Sequence, residues 1–378
     1  METSIIVFNS IFDIDLQKWN AFIPKSRFFL SYQYLSTLEK SNQEMEFRYL
    51  VLVDKNNSYV GLCYFQIVAF KGEMLYKYVS NARKLLKLFL EKSLSLIDSK
   101  IIALGNLIFT CESGVYFSSE IKDIEKNQYI QKMIQKVEEP YSCKTIGLLI
   151  SEELTAENYP FYKKSGFEIF EVENKMIFKS APFINFEEYQ NALTSKYRIR
   201  KNKIYKLNEH TEVISIDKLN FDVYENEIQK LFSNVLERSK FKLMNLNSNY
   251  FKTFLEQESD VFKMEGYLIH NQLVGFISYF EFEHDIEVHY LGLDYQKNEV
   301  YKLYNFILYK MIEKGYDHQR EMVCLSRTAQ EIKSTLGAQP IKVYNYLKVN
   351  NSVVNKIVPL FLEKLKPEVW QERNPFKI

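Results

Sequence analysis

Hydrophobic and polar residues alternate along this chain with two periods, and each period predicts one kind of element. Alternation at every second residue predicts strands, and recurrence every three to four residues predicts amphipathic helices. The pattern is clearest from Glu265 to Lys348, where it predicts two strands joined by a tight turn, then strand, helix, strand, helix and strand. The turn is predicted at Asn271-Gln272. The central strand of this region is predicted at Ile286 to Leu293, followed by a long helix from Val300 to Glu313.

The same two periods predict the elements of the rest of the chain. Strands are expected at Ser4–Phe8, Phe47–Val53, Tyr59–Ala69, Lys100–Phe109, Thr145–Ile150 and Val213–Ile216. Helices are expected at Gln33–Glu39, Ala82–Ile97, Glu120–Val137, Phe186–Leu207, Val223–Lys240 and Ser248–Glu258. Ile124, Ile130 and Val137 belong to the apolar stripe predicted for the amphipathic helix Glu120–Val137. Apolar residues beyond Val349 predict a helical tail that is broken at Pro359.

Length and composition narrow the classes of protein that fit. A chain of 378 residues suits two domains of ordinary size. Its formal net charge of +1 argues against a globally basic nucleic-acid binder. No apolar run reaches the ~18 residues of a membrane span, and the acidic, β-branched start at Met1 predicts no signal peptide. The four cysteines are widely spaced, which favours reduced thiols and a cytoplasmic protein.

Missing glycine motifs exclude several common sites. The chain holds 11 glycines and has no GxGxxG, no GxxxxGK[ST] and no GxSxG. Dinucleotide, P-loop and hydrolase-elbow sites therefore lack the residues that let the backbone approach the ligand. HExxH is absent as well, and the histidines show no third ligand at metal-binding spacing, so no metal is expected.

Two segments resemble one element of a known superfamily. Phe161-Tyr162-Lys163-Lys164-Ser165-Gly166-Phe167 resembles the helix end of GNAT acyltransferases, in which the glycine turns the chain into the final hairpin. Glu331 to Ala338, which contains Leu336-Gly337-Ala338, resembles the same element again. The pairing of Ser195 to Lys201 with Arg327 to Lys333 is similar to bacterial tandem-GNAT proteins related to the Fem-type peptidoglycan aminoacyltransferases.

This resemblance implies a fold of the α/β (α+β) class. It implies two GNAT-like domains in tandem, each a mixed, mostly antiparallel sheet flanked by helices. The expected boundaries are residues 1–182 for a scaffold domain that walls the acceptor groove, 183–349 for a catalytic domain and 350–378 for a helical tail. Many functions share one fold, so the resemblance defines the fold better than the substrate.

The resemblance also implies acyl-CoA as co-substrate, acetyl-CoA or longer. Its binding is expected at the end of the central strand and the turn after it, at Leu291, Gly292, Leu293, Lys297 and Asn298. The superfamily usually has a Q/R-x-x-G-x-G/A loop there, whereas this chain has Asp294 to Glu299, with no glycine and two acids. Backbone approach to a pyrophosphate is harder without glycine. Asn298 can still cap the following helix, and Lys297 can supply charge.

Amide formation from an activated acyl donor requires a base for the amine, donors for the oxyanion and an acid for the leaving group. Strict alternation on the central strand places Glu287 and His289 on one face together with Leu291. Either polar residue could act as the base, or both could be an ordinary hydrogen-bonded pair. Tyr346 is the candidate acid, since a tyrosine on the last strand often has that role in this fold, although packing alone would explain it.

Basic residues supply the candidate anchors for an anionic substrate. Arg198 and Lys201 lie one turn apart on a predicted helix and could clamp one anion, with Arg200 on the same helix. A solvated helix face would explain the same run of charge. Arg327 and Lys333 form a second pair near the last helix, where Arg327 could hold an anionic acceptor. Lys333 could instead bridge to a carboxylate such as Glu331.

Three functions remain open at this point. The first is an N-acyltransferase that moves an acyl group from acyl-CoA to the amine of a small-molecule or peptide-like acceptor, by direct attack in a ternary complex. The second is a Fem-type enzyme that takes its acyl group from aminoacyl-tRNA and acts on a cell-wall precursor; nucleic acid is an expected partner only here. The third is a non-catalytic GNAT-fold binding module that dimerises through the tail.

Overall fold

The computed structural model describes residues 2–76, 84–95, 97–109, 112–141, 145–151, 159–238, 246–350, 367 and 369–377. The chain forms two compact units, each of which takes residues from two separate stretches of sequence. The first unit is Met1–Val172 with Val343–Pro367, and the second is Glu173–Lys342 with Glu368–Ile378. Each unit therefore includes a C-terminal segment that was not expected in it: Val343–Pro367 in the first unit and Glu368–Ile378 in the second.

The first unit contains a mixed sheet. Its strands are β1 (Thr3–Phe8), β2 (Glu46–Asp54), β3 (Tyr59–Lys71), β4 (Asp98–Leu104), β5 (Val115–Phe117) and β6 (Thr145–Ile150). β1 to β4 pair antiparallel in sequence order, and β5 pairs with β3. β6 lies parallel to β4, and its other edge pairs antiparallel with residues 345–349 at the end of the chain's last strand.

Helices cover this sheet and enclose a core. They are α1 (Leu16–Phe22), α2 (Tyr32–Ser41), α3 (Lys84–Ser95), α4 (Asp123–Glu138) and α5 (Tyr159–Lys164). Asp15 and Ser31 cap the first two, since their side chains accept backbone N–H bonds from the first turn. Met133 and Ile134 of α4 pack against strand residues such as Phe65 in the core. Ile124, predicted on the apolar stripe, is 67% exposed, so the stripe begins later.

The second unit repeats this strand order. Its strands are β7 (Glu168–Lys179), β8 (Glu212–Ile216), β9 (Phe262–Ile269), β10 (Gln272–Glu281), β11 (Asp285–Leu293), β12 (Met322–Cys324) and β13 (Gln339–Val349). Two of these strands are shared with the first unit, since only residues 173–179 of β7 and 339–342 of β13 belong to the second. β8 to β11 pair antiparallel in sequence order. β12 lies parallel to β11 and pairs antiparallel with β7. The predicted second copy of the fold is therefore present.

Seven helices of the second unit are described. They are α6 (Phe186–Ala192), α7 (Ser195–Leu207), α8 (Phe221–Glu237), α9 (Ser248–Gln257), α10 (Tyr295–Tyr301), α11 (Leu303–Asp317) and α12 (Gln330–Ser334). α6, α7 and α11 pack on one face of the sheet, with Tyr189, Ile307 and Ile286 in a shared core. α8 and α9 pack on the other face, where Phe232 and Phe251 meet the ring of Tyr290.

Most elements agree with the sequence pattern, but two helices predicted to be continuous are broken. The helix predicted from Phe186 to Leu207 stops at Ala192, because Leu193 forms a bridge with Phe376. The helix predicted at Val300 is divided by Lys302, whose backbone is left-handed with φ 53°. Periodicity does not detect such interruptions, because a single left-handed residue leaves the hydrophobic spacing almost unchanged.

The turns lie at or next to the positions predicted from their residue types. The hairpin bends at His270 and Asn271, which have φ of 52° and 60°, one residue before the predicted position. Gly166 and Gly337 have φ of 85° and 95°, and this confirms that each glycine turns the chain after its helix. The predicted helical tail falls largely on residues 351–366, outside the described part of the chain. Within the described part, no helix has the length and apolar character needed to cross a membrane.

Candidate active site

The central strand of the second unit separates from its parallel neighbour. β11 pairs with β12 at three positions, from Asp285 opposite Met322 to Glu287 opposite Cys324. Beyond Glu287, β11 continues for six residues to Leu293 with β10 as its partner, and no other described strand pairs with it there. In the first unit, the corresponding strands stay paired from Lys100 to Leu104, the last residue of β4. An open seam beside residues 288–293 thus distinguishes the second unit.

A bulge in β11 changes which side chains share a face. Tyr279 lies opposite Val288 while Ile277 lies opposite Leu291, so β11 contains one extra residue in this interval. The hydroxyl of Ser278 fills the irregularity, accepting a hydrogen bond from Tyr290 N at 3.1 Å and donating one to Tyr290 O at 3.3 Å. Uniform alternation, predicted from the sequence, is therefore wrong at this point.

Because of the bulge, the side chain of Leu291 lies on the opposite face of the sheet from that of His289. Leu291 packs against the core that holds Val288 and Leu293, on the α11 side of the sheet. His289 and Tyr290 both lie on the α8 and α9 side: His289 contacts the ring of Tyr250, and Tyr290 contacts helix aromatics. The prediction that Glu287, His289 and Leu291 share one face is corrected accordingly.

His289 is enclosed by aromatic rings. Its side chain has 6% exposure, with Nε2 3.1 Å from Tyr250 Oη and Nδ1 3.2 Å from Ser278 Oγ. Burial lowers the pKa of His289 to about 3, so the imidazole is neutral at physiological pH. Because it also contacts the serine that fills the bulge, His289 is well placed to support the strand geometry.

Glu287 lies where β11 and β12 part. One carboxylate oxygen, Oε1, is 2.8 Å from Lys175 Nζ, and the two side chains are 17% and 9% exposed. The other oxygen, Oε2, is buried and has no hydrogen-bond partner. Burial and the neighbouring charge of Glu287 raise the pKa of Asp285. Sequence reasoning missed Lys175, since a single lysine in the strand Asn174-Lys175-Met176 carries no motif.

Arg327 belongs to a loop with unusual backbone geometry, and Lys333 lies on α12, the helix that follows this loop. Ser326, Thr328 and Ala329 have φ of 60°, 68° and 47°, a region that non-glycine residues seldom adopt. Lys333 is 3% exposed, and its Nζ donates to the carbonyl oxygens of Ser326, at 3.4 Å, and Arg327. Burial lowers the pKa of Lys333 to about 7. Lys333 thus fastens the loop from within, while its predicted substrate contact stays a prediction.

The charge of Arg327 acts on Tyr290 of the central strand. Burial raises the pKa of the Tyr290 phenol well above its ordinary value, and the positive charge of Arg327 offsets part of that rise. Arg327 therefore lies near enough to β11 for its charge to be felt at Tyr290. This agrees with a role for Arg327 in holding an anionic group, which remains a prediction.

The turn after β11 does not fit the pyrophosphate of coenzyme A. Residues 295–301 form helix α10 instead of an open loop, and the Asp294 carboxylate accepts a hydrogen bond from Lys297 N at 3.0 Å. Asn298 Oδ1 accepts from Tyr304 N at 2.8 Å, confirming that Asn298 caps the long helix. Two amides that could face a pyrophosphate are thus already bonded, one of them to a carboxylate.

Other residues predicted to contact the acyl donor are held by packing. Gly292 has no room for a side chain, since an added Cβ would lie 2.2 Å from the Phe276 ring. The carbonyl of Leu293 accepts a hydrogen bond from Asn234 Nδ2 at 3.1 Å. Arg238, which sequence reasoning also missed, stacks on Tyr295 at 3.5 Å from the ring centroid.

Two further candidates lie in surroundings different from those predicted. Tyr346 is fully buried in the first unit's core, 5.1 Å from the ring of Tyr162, whereas Glu287 belongs to the second unit. Its role as the leaving-group acid stays a prediction. Lys201 is buried, donates to Gln190 Oε1 at 2.6 Å and lies over the Tyr205 ring. It cannot form the predicted clamp with the half-buried Arg198 in this arrangement.

Metal ligation finds no support in the described residues, which contain no cluster of three or more His, Cys, Asp or Glu side chains able to hold an ion. Cys63 and Cys324 are buried and form no disulfide, and Cys111 lies outside the described residues. Burial raises the pKa of Cys63 well above that of an ordinary thiol.

Comparison with known proteins identifies the fold. No protein family model matches the sequence, and no curated protein matches it significantly. A tandem GNAT protein from the clavulanic acid biosynthesis pathway has a TM-score of 0.54 at 7% identity, covering 93% of this chain and 99% of that one. FemX has a TM-score of 0.52 at 9% identity, covering 95% and 100%.

A third solved structure has a similar likeness. The C-terminal domain of a putative lysylphosphatidylglycerol synthetase from Agrobacterium fabrum has a TM-score of 0.50 at 6% identity, covering 94% of this chain and 97% of that one. At such identities the likeness shows the fold alone. The tandem GNAT fold and the resemblance to Fem-like proteins predicted from the sequence are confirmed.

Proposed function

We propose that the second unit is an acyltransferase, which forms an amide bond by direct attack of an acceptor amine on an activated acyl donor. The supporting observation is the open seam beside residues 288–293, with Glu287 at the point where the strands separate. Such a seam can seat the extended end of a donor against an unpaired strand edge. The first unit lacks this opening at the equivalent strands, so we assign it a supporting role.

Glu287 is the base in this proposal. Its free oxygen Oε2 takes the proton from the acceptor ammonium, while Oε1 stays paired with Lys175. The amine nitrogen then bonds to the donor carbonyl carbon, and backbone N–H groups on the open edge of β11 stabilise the oxyanion. Collapse breaks the bond to the leaving group, which departs with its electron pair and takes the second proton that the attacking nitrogen loses. Arg327 anchors an anionic part of the bound substrates.

The turn after β11 provides evidence on the identity of the acyl donor. Asp294 and Asn298 already bond the amides of Lys297 and Tyr304, which disfavours a pyrophosphate at this turn. An aminoacyl ester carried by tRNA does not need that contact. Exposed cations on α7, including Arg200, Lys203 and Lys206, could meet a phosphate backbone. We therefore rank aminoacyl-tRNA above acyl-CoA as donor.

Titration separates the two donors. Acetyl-CoA and a longer acyl-CoA are titrated calorimetrically into the full chain, and aminoacylated tRNA is titrated at several salt concentrations. Binding of charged tRNA that weakens steeply with salt, without heat from either thioester, supports the ranking. Saturable binding of a thioester and none of tRNA would restore acyl-CoA as the donor. Neither result depends on knowing the acceptor.

A non-catalytic binding module is the remaining alternative, and Glu287 distinguishes it. The donor that binds is mixed with a set of amines, and the rate at which it loses its acyl group is measured for the native chain and for Glu287→Gln. We expect the variant to lose about 10²- to 10⁴-fold in rate. Glu283→Gln, an exposed carboxylate in the same region, is the matched control. No turnover in any of the three proteins with every donor would favour the binding module. Equal turnover in all three would show instead that Glu287 is not the base.

A further inference from the structure

The segment of residues 369–377, here called the strap, joins two parts of the second unit that lie far apart in sequence. It contains no helix, and its one strand-type contact is the bridge between Phe376 and Leu193. Beside this bridge, Thr194 N donates a hydrogen bond to Pro375 O at 2.9 Å. The strap is therefore fixed to the junction of α6 and α7.

The strap is also bonded to α12, the helix that follows the loop of residues 325–329. Arg373 donates through Nε and Nη2 to Glu331 Oε1, at 3.0 and 2.6 Å, and both bonds are charge-assisted. The backbone N–H of Arg373 donates to Ser334 Oγ at 3.0 Å, and Ser334 is fully buried. The strap thus holds α12 near its first residue and at its last.

Phe376 covers the turn that ends α12. A Cβ added to Gly337 would lie 2.5 Å from the Phe376 ring, so the ring packs directly on the backbone of this glycine. The ring centroid is also 5.2 Å from that of Phe183 and 5.9 Å from that of Tyr189. Tyr189 Oη donates to Leu336 O at 3.0 Å, in the same turn. Packing of an aromatic ring contributes more than an exposed ion pair, so Phe376 is the main anchor.

α12 in turn supports the loop of residues 325–329. Lys333 N donates to Ala329 O at 3.1 Å, and Lys333 Nζ donates to the carbonyl oxygens of Ser326 and Arg327. Three residues of this loop have left-handed backbones, which persist only where surrounding contacts impose them. Because α12 supplies such contacts, a displacement of α12 would release the loop and move Arg327.

We propose that Arg373 and Phe376 are positioning residues, which hold α12 and thereby place Arg327 for an anionic group of the substrates. The inference rests on the proposed function in one respect, because the role of Arg327 is assigned there. It adds that substrate affinity depends on a segment 42 positions beyond Glu331, which has no part in the chemical step.

Amide hydrogen exchange of the full chain tests whether the strap holds this region. In peptides covering residues 325–338, exchange should become about tenfold faster in Phe376→Ala and about threefold faster in Arg373→Met. Glu372→Gln, an exposed neighbour in the strap, is the matched control and should leave exchange unchanged. A peptide covering residues 262–269 of β9 should exchange alike in all four proteins.

Unchanged exchange of residues 325–338 in Phe376→Ala would overturn the proposal. An equal acceleration in β9 would overturn it as well, since the variant would then loosen the whole unit. If Phe376→Ala does not fold, Phe376→Leu and Arg373→Met decide, because the first keeps an apolar side chain and the second changes a residue whose side chain is 35% exposed.

A double-mutant cycle with Arg327→Gln tests the link to the substrates. KM for the donor, charged tRNA or acetyl-CoA, and for the amine mixture is measured in the native chain, both single variants and the double variant. Phe376→Ala should raise at least one KM about tenfold in the native chain and not in Arg327→Gln, with little change in kcat. An equal rise in both backgrounds would overturn the proposal, because the strap would then act by another route.

The cycle also separates failure of this inference from failure of the proposed function. If Arg327→Gln raises a KM and Phe376→Ala raises none, the positioning role of the strap is wrong and the role of Arg327 stands. If Arg327→Gln raises no KM, or no donor is turned over, the role proposed for Arg327 in substrate binding fails. Hydrogen exchange then decides by itself whether the strap holds the loop.

Discussion

Lys175 Nζ and Glu287 Oε1 form an ion pair 2.8 Å long, and both side chains are largely buried beside the point where β11 leaves β12. The lysine holds one carboxylate oxygen and leaves the other without a hydrogen-bond partner. A buried charge needs such compensation. The pair thus leaves one oxygen of the Glu287 carboxylate without a partner beside the point where the strands separate, and proton removal from an amine requires such an oxygen.

Removing Lys175 should destabilise the protein more than removing both partners. Lys175→Met leaves the Glu287 carboxylate buried and unpaired, so we expect the free energy of unfolding to fall by roughly 3–5 kcal/mol. The double variant Lys175→Met with Glu287→Leu should recover most of that loss, because no buried charge remains. Urea unfolding of the native chain, both single variants and the double variant measures the coupling. Additive losses would show that the pair is not energetically linked.

Lys333 should make stability depend on pH. Its pKa is about 7 in the folded protein, against about 10.4 in an unfolded chain, so between these values the unfolded chain binds more protons. The contribution of Lys333 is therefore present above pH 10.4 and is lost as the pH falls through 7. Relative to Lys333→Met, native stability should rise by about 1.4 kcal/mol per pH unit across this window.

Urea unfolding at several pH values from 6.5 to 9.5 measures this difference for the two proteins. Subtracting the variant removes the contribution of the other titrating groups. A difference that stays constant over the range would contradict the lowered pKa of Lys333. Lys342→Met serves as a control for the loss of a lysine elsewhere in the second unit.

Ser278 should be important for the bulge in β11. Ser278→Ala leaves Tyr290 N without its acceptor, and a buried N–H that loses its partner costs about 1–3 kcal/mol. The strand should then shift toward regular pairing, and acyl transfer should fall with it. Ser278→Thr keeps a hydroxyl and is the matched comparison. Unfolding curves and transfer rates of both variants decide the question, and unchanged values for Ser278→Ala would rule out this role.

His289 should not titrate in the range where an unperturbed histidine does. Its pKa of about 3 keeps it neutral from pH 5 to 9. The ratio of kcat/KM for the native chain to that for His289→Gln should therefore be constant over this range. If the native profile has a limb near pH 6.5 that the variant lacks, His289 is the base and the assignment to Glu287 is wrong.

Much of the fold could be predicted because its signals are local. Gly166 and Gly337 mark turns that need a left-handed backbone, and alternation along Ile286–Leu293 marks the central strand. The break at Lys302 and the composition of each unit could not be predicted, since neither follows from a local pattern. Strand β13 divides between units at Lys342 and Val343, where its sequence shows no change of composition.

The candidate site was less predictable because its geometry depends on distant residues. Glu287 was found as a polar residue on a buried strand, but its partner Lys175 precedes it by 112 positions. The faces of Glu287, His289 and Leu291 were assigned wrongly, because the bulge is filled by Ser278 from the neighbouring strand. Lys333 was predicted as a substrate-binding residue, and no sequence signal shows that it bonds carbonyl oxygens of the loop before its helix.

The central claim is that β11 has an open edge that seats a donor, and amide hydrogen exchange tests it most directly. Exchange is followed by mass spectrometry for peptides covering residues 288–293 of β11 and 100–104 of β4, with and without charged tRNA or acyl-CoA. We expect β11 amides on the open edge to exchange much faster than those of fully paired β4, and to become protected when the donor is added. Exchange in β11 as slow as in β4, unchanged by every donor, would contradict the claim.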